Sequence, residues 1–185
     1  QLVCALDGYD AMLAGSAARL RQAYERVVAR AGGGGGGGGA SIVFSADQTF
    51  FFAGMAGELE YGARYPRAPT AYRFLNSGSL VGPAPELLRL VDAVVGRYVR
   101  CDGCAWDRVS DQTLFHRHLV DAADDAEDGG GPPIVLDHFQ ELFGNTGGRE
   151  YKADFGVLGG RLHNRHTDTF PAVLHCPGKP RFQAE

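Results

Sequence analysis

Asp7 and Asp10 follow directly on an apolar run, Leu2 to Leu6, with only Gly8 and Tyr9 between them. Two carboxylates on a tight turn can share one hard cation such as Mg2+ or Mn2+, and a cation held in that way can bridge to the phosphates of a nucleotide. The competing reading is an ordinary strand-end turn, since Asp and Gly are common turn formers. Further polar groups stand at comparable places. His175 ends the apolar stretch Pro171 to Leu174 and precedes Gly178 and Lys179. A single histidine is more often a packing or surface residue, but at this position a neutral imidazole would complete the coordination of a cation already held by two acids. Lys179 would face a diphosphate as a point charge. In Asn76-Ser77-Gly78 the glycine lets a ligand approach the backbone closely. Asp111-Gln112 opens a stretch of helical spacing.

Chemistry at those points needs elements that end there. Leu2 to Leu6, continuous and closed by a glycine turn, suits a buried parallel strand whose C-terminal end reaches a cleft, which is where open α/β sheets place ligands. Ser16 is suited to cap a helix running to about Arg30, with Ala17, Leu20, Tyr24, Val27 and Val28 inward and Arg19, Arg21, Glu25 and Arg26 outward. Ser41 to Ala46 reads as a short buried strand. Tyr72 to Gly82 reads as two short strands, or as one strand broken at Asn76-Ser77-Gly78. A helix from about Pro85 to Tyr98 would bury Leu87, Leu88, Val91, Val94 and Val95. Thr113 to Val120 has helical spacing behind Ser110. Ile134 to Asp137 resumes a strand, Phe139 to Phe143 is compact, and Asn145 to Gly148 is a turn. A weak strand at Phe155 to Leu158 precedes the one that ends on His175.

The remaining stretches carry less. Asp47 to Arg67 is irregular and aromatic, and Phe50, Phe51, Phe52, Tyr61 and Tyr65 are expected in the core, with an acceptor groove as the other use for them. The glycine run Gly32 to Gly39 holds no one conformation cheaply and reads as a flexible insert. It lacks the set glycine positions between strand and helix that a phosphate loop needs. Asp124 to Pro133 reads as a solvated loop, because its acids do not alternate as in a calcium loop. Cys4, Cys101, Cys104 and Cys176 permit two disulfides, one, or none; neither a second ligand pair nor a strand-to-helix junction accompanies the Cys101/Cys104 pair to make it a zinc or redox site.

With 185 residues, of which 44% are hydrophobic and 10% aromatic, the chain is expected to form one domain with a real core. A formal charge of -4 with no Lys/Arg block excludes an ordinary nucleic-acid binder. No run of 18 apolar residues and no charged-then-apolar leader is visible, so neither a membrane span nor a signal peptide is expected in this sequence. The chain opens directly on a core-type strand, as expected of a piece of a longer domain.

In order and wording these blocks resemble the glycosyltransferase domain of the procollagen-lysine hydroxylases, and more distantly the collagen beta-galactosyltransferases. The blocks are Leu6-Asp7-Gly8-Tyr9-Asp10, Ile42 to Ala46, Arg73 to Gly78, Asp111-Gln112 with Leu114-Phe115, Leu136-Asp137-His138 with Phe143, and Leu174-His175 with Gly178 and Lys179. The resemblance implies an α/β fold of the GT-A, Rossmann-like type lacking its N-terminal βα units, Mn2+, and a UDP-sugar donor, UDP-galactose or UDP-glucose. It assigns Asp7, Asp10 and His175 to the metal, Tyr9 to the uracil, and Gly178 and Lys179 to the diphosphate. Asn76, Ser77 and Gly78 would lie beside the donor sugar, and Asp111 and Gln112 would act in the transfer itself. The implied acceptor is a hydroxylated polypeptide such as hydroxylysine of a collagen-like protein, met in the endoplasmic reticulum or Golgi lumen. The family's acid run before Asp-Gln is replaced here by Val109-Ser110, and its tryptophan segment by Phe50-Phe51-Phe52. A non-catalytic scaffold or interaction module of a longer protein is the alternative function.

Overall fold

Along strand β3 (Ile42–Asp47) every residue is buried, and the two alternating sets of side chains feed two different cores. The computed structural model describes residues 1–32, 41–51, 58–100, 109–124, 134–147 and 154–177. Ile42, Phe44 and Ala46 join Leu90, Val94 and Tyr98 of helix α3 (Ala84–Tyr98) and Val120 of helix α4 (Asp111–Asp124). Val43 points the other way, to Ala23, Tyr24 and Val27 of helix α1 (Ala17–Ala31) and to Leu142, Phe143 and Val173. Fully burying side chains such as Ile42 and Phe44 contributes about 1.5–3 kcal/mol each. Strand β3 therefore sits at the centre of the domain, with both faces covered.

Its neighbours are strand β4 (Phe74–Pro83), antiparallel, and strand β5 (Ile134–Leu136), parallel; strand β1 (Leu2–Leu6) pairs with the far side of β4, giving the order β1-β4-β3-β5. A second sheet has the order β2-β9-β6, from strands β2 (Ala11–Leu13), β9 (Val173–His175) and β6 (Phe143–Asn145). Strands β7 (Phe155–Leu158) and β8 (Arg161–Asn164) form a hairpin. The fold is thus mixed α/β with parallel and antiparallel pairs, and the short helix α2 (Glu58–Arg64) lies inside the stretch read from sequence as irregular.

Two expectations are corrected. β1 is not a buried parallel strand: it runs antiparallel to β4, from Leu2 opposite Pro83 to Leu6 opposite Ser79, at the edge of the sheet. Leu2, Cys4 and Leu6 pack on the second core while Val3 is 38% exposed, the one-sided burial that an antiparallel edge tolerates and a parallel interior does not. The buried stripe of α3 is also rotated from the one expected. Leu87, Leu90, Val94 and Tyr98 face the core, and Leu88 and Val91 are 64% and 47% exposed. Both stripes recur at helical spacing, so periodicity alone does not choose between them.

Local signals placed α1 well. Ser16 caps it, its hydroxyl accepting from Arg19 N at 3.3 Å, and Gly32 closes it by donating its N–H to Val28 O. The outward Arg26 reaches Glu141 at 3.0 Å. Gly33 to Gly39, Phe52, Cys101 and Cys104 lie outside the described residues; Cys4 and Cys176 are free thiols. Among the described residues no helix is long and apolar enough to cross a membrane.

Phe50 and Tyr65 belong to the core, as expected, with ring centroids 5.7 Å apart, whereas Phe51 is 54% exposed. The Tyr65 hydroxyl meets His116 Nδ1 at 2.5 Å, and burial holds the His116 imidazole down at about 4. A folded state that favours the neutral ring is fully stabilised above the ordinary histidine value of about 6.5 and loses that stabilisation as pH falls toward 4, up to about 3 kcal/mol. Urea denaturation at pH 7 and pH 4.5 should therefore show a smaller acid loss in His116→Phe than in the wild type. Equal losses in the two proteins would remove His116 as the cause.

Candidate metal centre

Between Phe44 and Ser45 the β3–β4 register jumps: Phe44 pairs with Leu80, but Ser45 pairs with Asn76. Ser77, Gly78 and Ser79 are therefore extra residues on β4, a bulge of the kind that re-aims a strand beside a site. On the other side of β4 the β1 pairing ends at Leu6–Ser79, and Asp7 N donates to Gly78 O at 2.8 Å. In the second sheet Ala11 pairs with His175, and Cys176 N donates to Asp10 O at 2.8 Å. One sheet delivers Asp7 and the other delivers Asp10 and His175. The two meet at Gly78, where an added Cβ would lie 2.5 Å from both Asp7 Oδ2 and His175 Nε2.

His175 Nε2 stands 3.6 Å from Asp7 Oδ2 and 3.5 Å from Asp10 Oδ1, and one ligand atom from each of the three residues lies within 4.8 Å of the others. Asp7 is exposed, Asp10 half-buried and His175 fully buried. Burial lowers the His175 pKa below its ordinary value, against the opposing pull of Asp10 and Asp7. Burial thus favours the neutral ring, the form that binds metals. Asp10 Oδ1 and both ring nitrogens of His175 have no hydrogen-bond partner among the described residues. Orphaned buried polar atoms are costly, and a shared cation would satisfy Asp10 Oδ1 and His175 Nε2, the ring nitrogen that faces both acids. Two carboxylates and one imidazole suit Mn2+ well and Mg2+ less well; Ca2+ wants more oxygens.

Around the trio the backbone is tied down. Thr146 N and Oγ1 both donate to His175 O, at 2.9 and 3.3 Å. Asn76 Oδ1 accepts from Gly78 N at 3.0 Å, and Gln112 Oε1 accepts from Ser77 N at 3.4 Å, so the first turn of α4 reaches the bulge. Asp111 is exposed at the start of that helix, and Tyr9 is fully exposed beside the trio's two acids. Gly178 and Lys179 lie outside the described residues. Asp137, placed by sequence at a strand end, is structural: its buried carboxylate accepts from the N–H groups of Glu141, Leu142 and Phe143, which holds the compact segment leading into β6. A cavity of about 550 Å3 lined by Val27, Arg30, Leu119 and Leu136 touches none of the trio.

Sequence reading passed over Asp47. It is buried at the end of β3, its Oδ1 accepting from Thr49 N at 2.9 Å, and burial raises its pKa against hydrogen bonds from Thr49, Gln48 and the Asn76 side chain. The available signal was that Asp47 closes an apolar run just as Asp7 does.

The family described as "PLOD GT domain" matches residues 1–184. Procollagen-lysine,2-oxoglutarate 5-dioxygenase 1 of Rattus norvegicus is 27% identical over 180 residues, 96% of this chain and 21% of the relative. The multifunctional procollagen lysine hydroxylase and glycosyltransferase LH3 of Pongo abelii is 26% identical over 184 residues, 98% of this chain and 21% of the relative. The uncharacterized protein R699 of Acanthamoeba polyphaga mimivirus is 27% identical over 115 residues, 62% of this chain and 21% of the relative. The chain thus spans about a fifth of the length of these curated relatives.

Proposed function

The chain belongs to the PLOD GT domain family, a glycosyltransferase family, and from that premise we propose that it transfers a hexose, galactose or glucose, from a UDP-sugar to a hydroxyl group of a polypeptide in the lumen of the secretory pathway. We assign its fold to the GT-A type. The observation that carries the reading is the convergence of Asp7, Asp10 and His175 on one another, with Asp7 and His175 packed against Gly78 and buried ligand atoms left unpartnered. In the reaction the acceptor oxygen bonds to C1 of the hexose, the bond from C1 to the diphosphate oxygen breaks, and the acceptor's proton is released. Mn2+, held by Asp7, Asp10 and His175, would supply the positive charge that stabilises the departing UDP.

The residues of the chain divide the remaining work. Tyr9 offers an open ring face for uracil, and Gly178 with Lys179 is assigned to the diphosphate. Gln112 steadies the Ser77 amide, and so the bulge on which the donor sugar would rest, from the base of α4. Asp111, exposed at the start of the same helix, is assigned to the transfer step.

The test is UDP release from a panel of UDP-sugars, with Mn2+ and peptides bearing hydroxylysine. Release is expected with UDP-galactose or UDP-glucose and is abolished by a chelator. Cation-dependent UDP binding without turnover would favour a non-catalytic module, and inertness toward every donor would end the enzyme reading.

A further inference from the structure

We propose that Asp47 is a substrate-binding carboxylate that accepts hydrogen bonds from hydroxyl groups of the transferred hexose. The inference rests on the UDP-sugar reading of the site and deepens it. On the face of β3 toward the second sheet the side chains change from Val43 through Ser45 to Asp47, so this face turns polar at the end nearest the bulge. Ser45 accepts from Asn145 Nδ2 at 3.3 Å, which places β6 over the same polar patch.

A carboxylate with 7% of its surface exposed is expensive unless something pairs with it, and Asp47 has no salt-bridge partner among the described residues. Its Oδ1 serves the local turn through Thr49 N, a task that a serine or asparagine performs equally well. The carboxylate's other contacts are hydrogen bonds from Gln48 N and the Asn76 side chain, and the His175 ring lies within electrostatic reach of it. Asp47 Oδ2 faces Gly147, where an added Cβ would lie 2.6 Å from it and 3.1 Å from Asn145 Oδ1.

Asp47 is also connected to the trio. The Asn76 side chain hydrogen-bonds Asp47, and Asn76 Oδ1 holds the amide of Gly78, the residue against which Asp7 and His175 pack. A hexose on UDP is bonded to the phosphate that a cation at Asp7, Asp10 and His175 would hold, so its ring must lie beside that cation. Sugars present neutral O–H donors, and an ionised acceptor binds them more strongly than a neutral one.

The experiment compares Mn2+-dependent binding of UDP with that of UDP-galactose and UDP-glucose, by calorimetry, in the wild type and Asp47→Asn. UDP affinity is expected to stay within about twofold while affinity for the preferred UDP-hexose falls at least about tenfold, the lower range for a hydrogen bond to a charged group. Asp47→Ser, which retains an acceptor for Thr49 N, carries the same comparison if the asparagine variant does not fold. Equal losses for UDP and UDP-hexose, or no loss for either, would overturn the proposal and leave the metal and nucleotide reading standing. A wild type without Mn2+-dependent UDP binding would overturn both.

Discussion

Gly78→Ala is expected to lower Mn2+ affinity at least about tenfold and to destabilise the fold by about 1–3 kcal/mol, the usual range for overpacking a filled site. The new methyl would come within 2.5 Å of Asp7 Oδ2 and His175 Nε2, and closer still to His175 Cε1. Asp7 is exposed and can swing aside, but His175 is buried, and Thr146 holds its carbonyl. The collision must therefore be relieved by moving the imidazole or flattening the bulge, and either movement separates the proposed ligands. Gly8→Ala is the control, because nothing lies within 4 Å of a Cβ at that position. Thermal melts with and without Mn2+, for both variants, separate the effects. If Gly78→Ala kept wild-type Mn2+ affinity, Gly78 would not be needed for the geometry of the trio.

What could be read in the sequence depended on how local the cause was. The extent of α1 follows from one capping serine and one closing glycine, both visible within a few residues. The strands ending at Asp7 and His175 were legible because apolar runs stop abruptly at polar residues, and sheet ends bring such residues together. The edge position of β1 was not legible, since a run of Leu, Val, Cys, Ala and Leu serves a buried interior or a half-buried edge equally well. The choice between Leu88/Val91 and Leu90/Val94 as the buried stripe of α3 is made by the sheet that the helix lies on, a long-range contact. The bulge is similar: Asn76-Ser77-Gly78 marked a break, but its displacement of the register from Leu80 to Asn76 is set by two neighbouring strands at once. Asp47 was hidden because an acid after a strand also begins a turn. Only the tertiary structure shows it buried within reach of Asn76.

Asp10→Asn should have the largest effect on the cation and almost none on the empty fold. Asp10 Oδ1 has no hydrogen-bond partner among the described residues and lies 3.5 Å from His175 Nε2, so with a neutral ring no hydrogen bond of that oxygen is lost with the charge. Asn keeps the volume and the backbone link from Cys176 N to the residue 10 carbonyl. In the empty site Asp7 and Asp10 repel each other, and removing one charge relieves that repulsion. The apo melting temperature should accordingly hold or rise slightly. With Mn2+ the order reverses. A cation at 100 times its dissociation constant stabilises the wild type by about 2.7 kcal/mol. Loss of one of the two proposed carboxylate ligands should weaken binding at least about 100-fold, again about 2.7 kcal/mol, so that most of this stabilisation disappears. His175→Ala is the less clean variant, because it also empties a fully buried volume in β9 and costs stability with or without metal. Melting the wild type and Asp10→Asn across an Mn2+ titration reads both effects in one series. An Asp10→Asn protein that Mn2+ stabilised as strongly as the wild type would take this carboxylate out of the site.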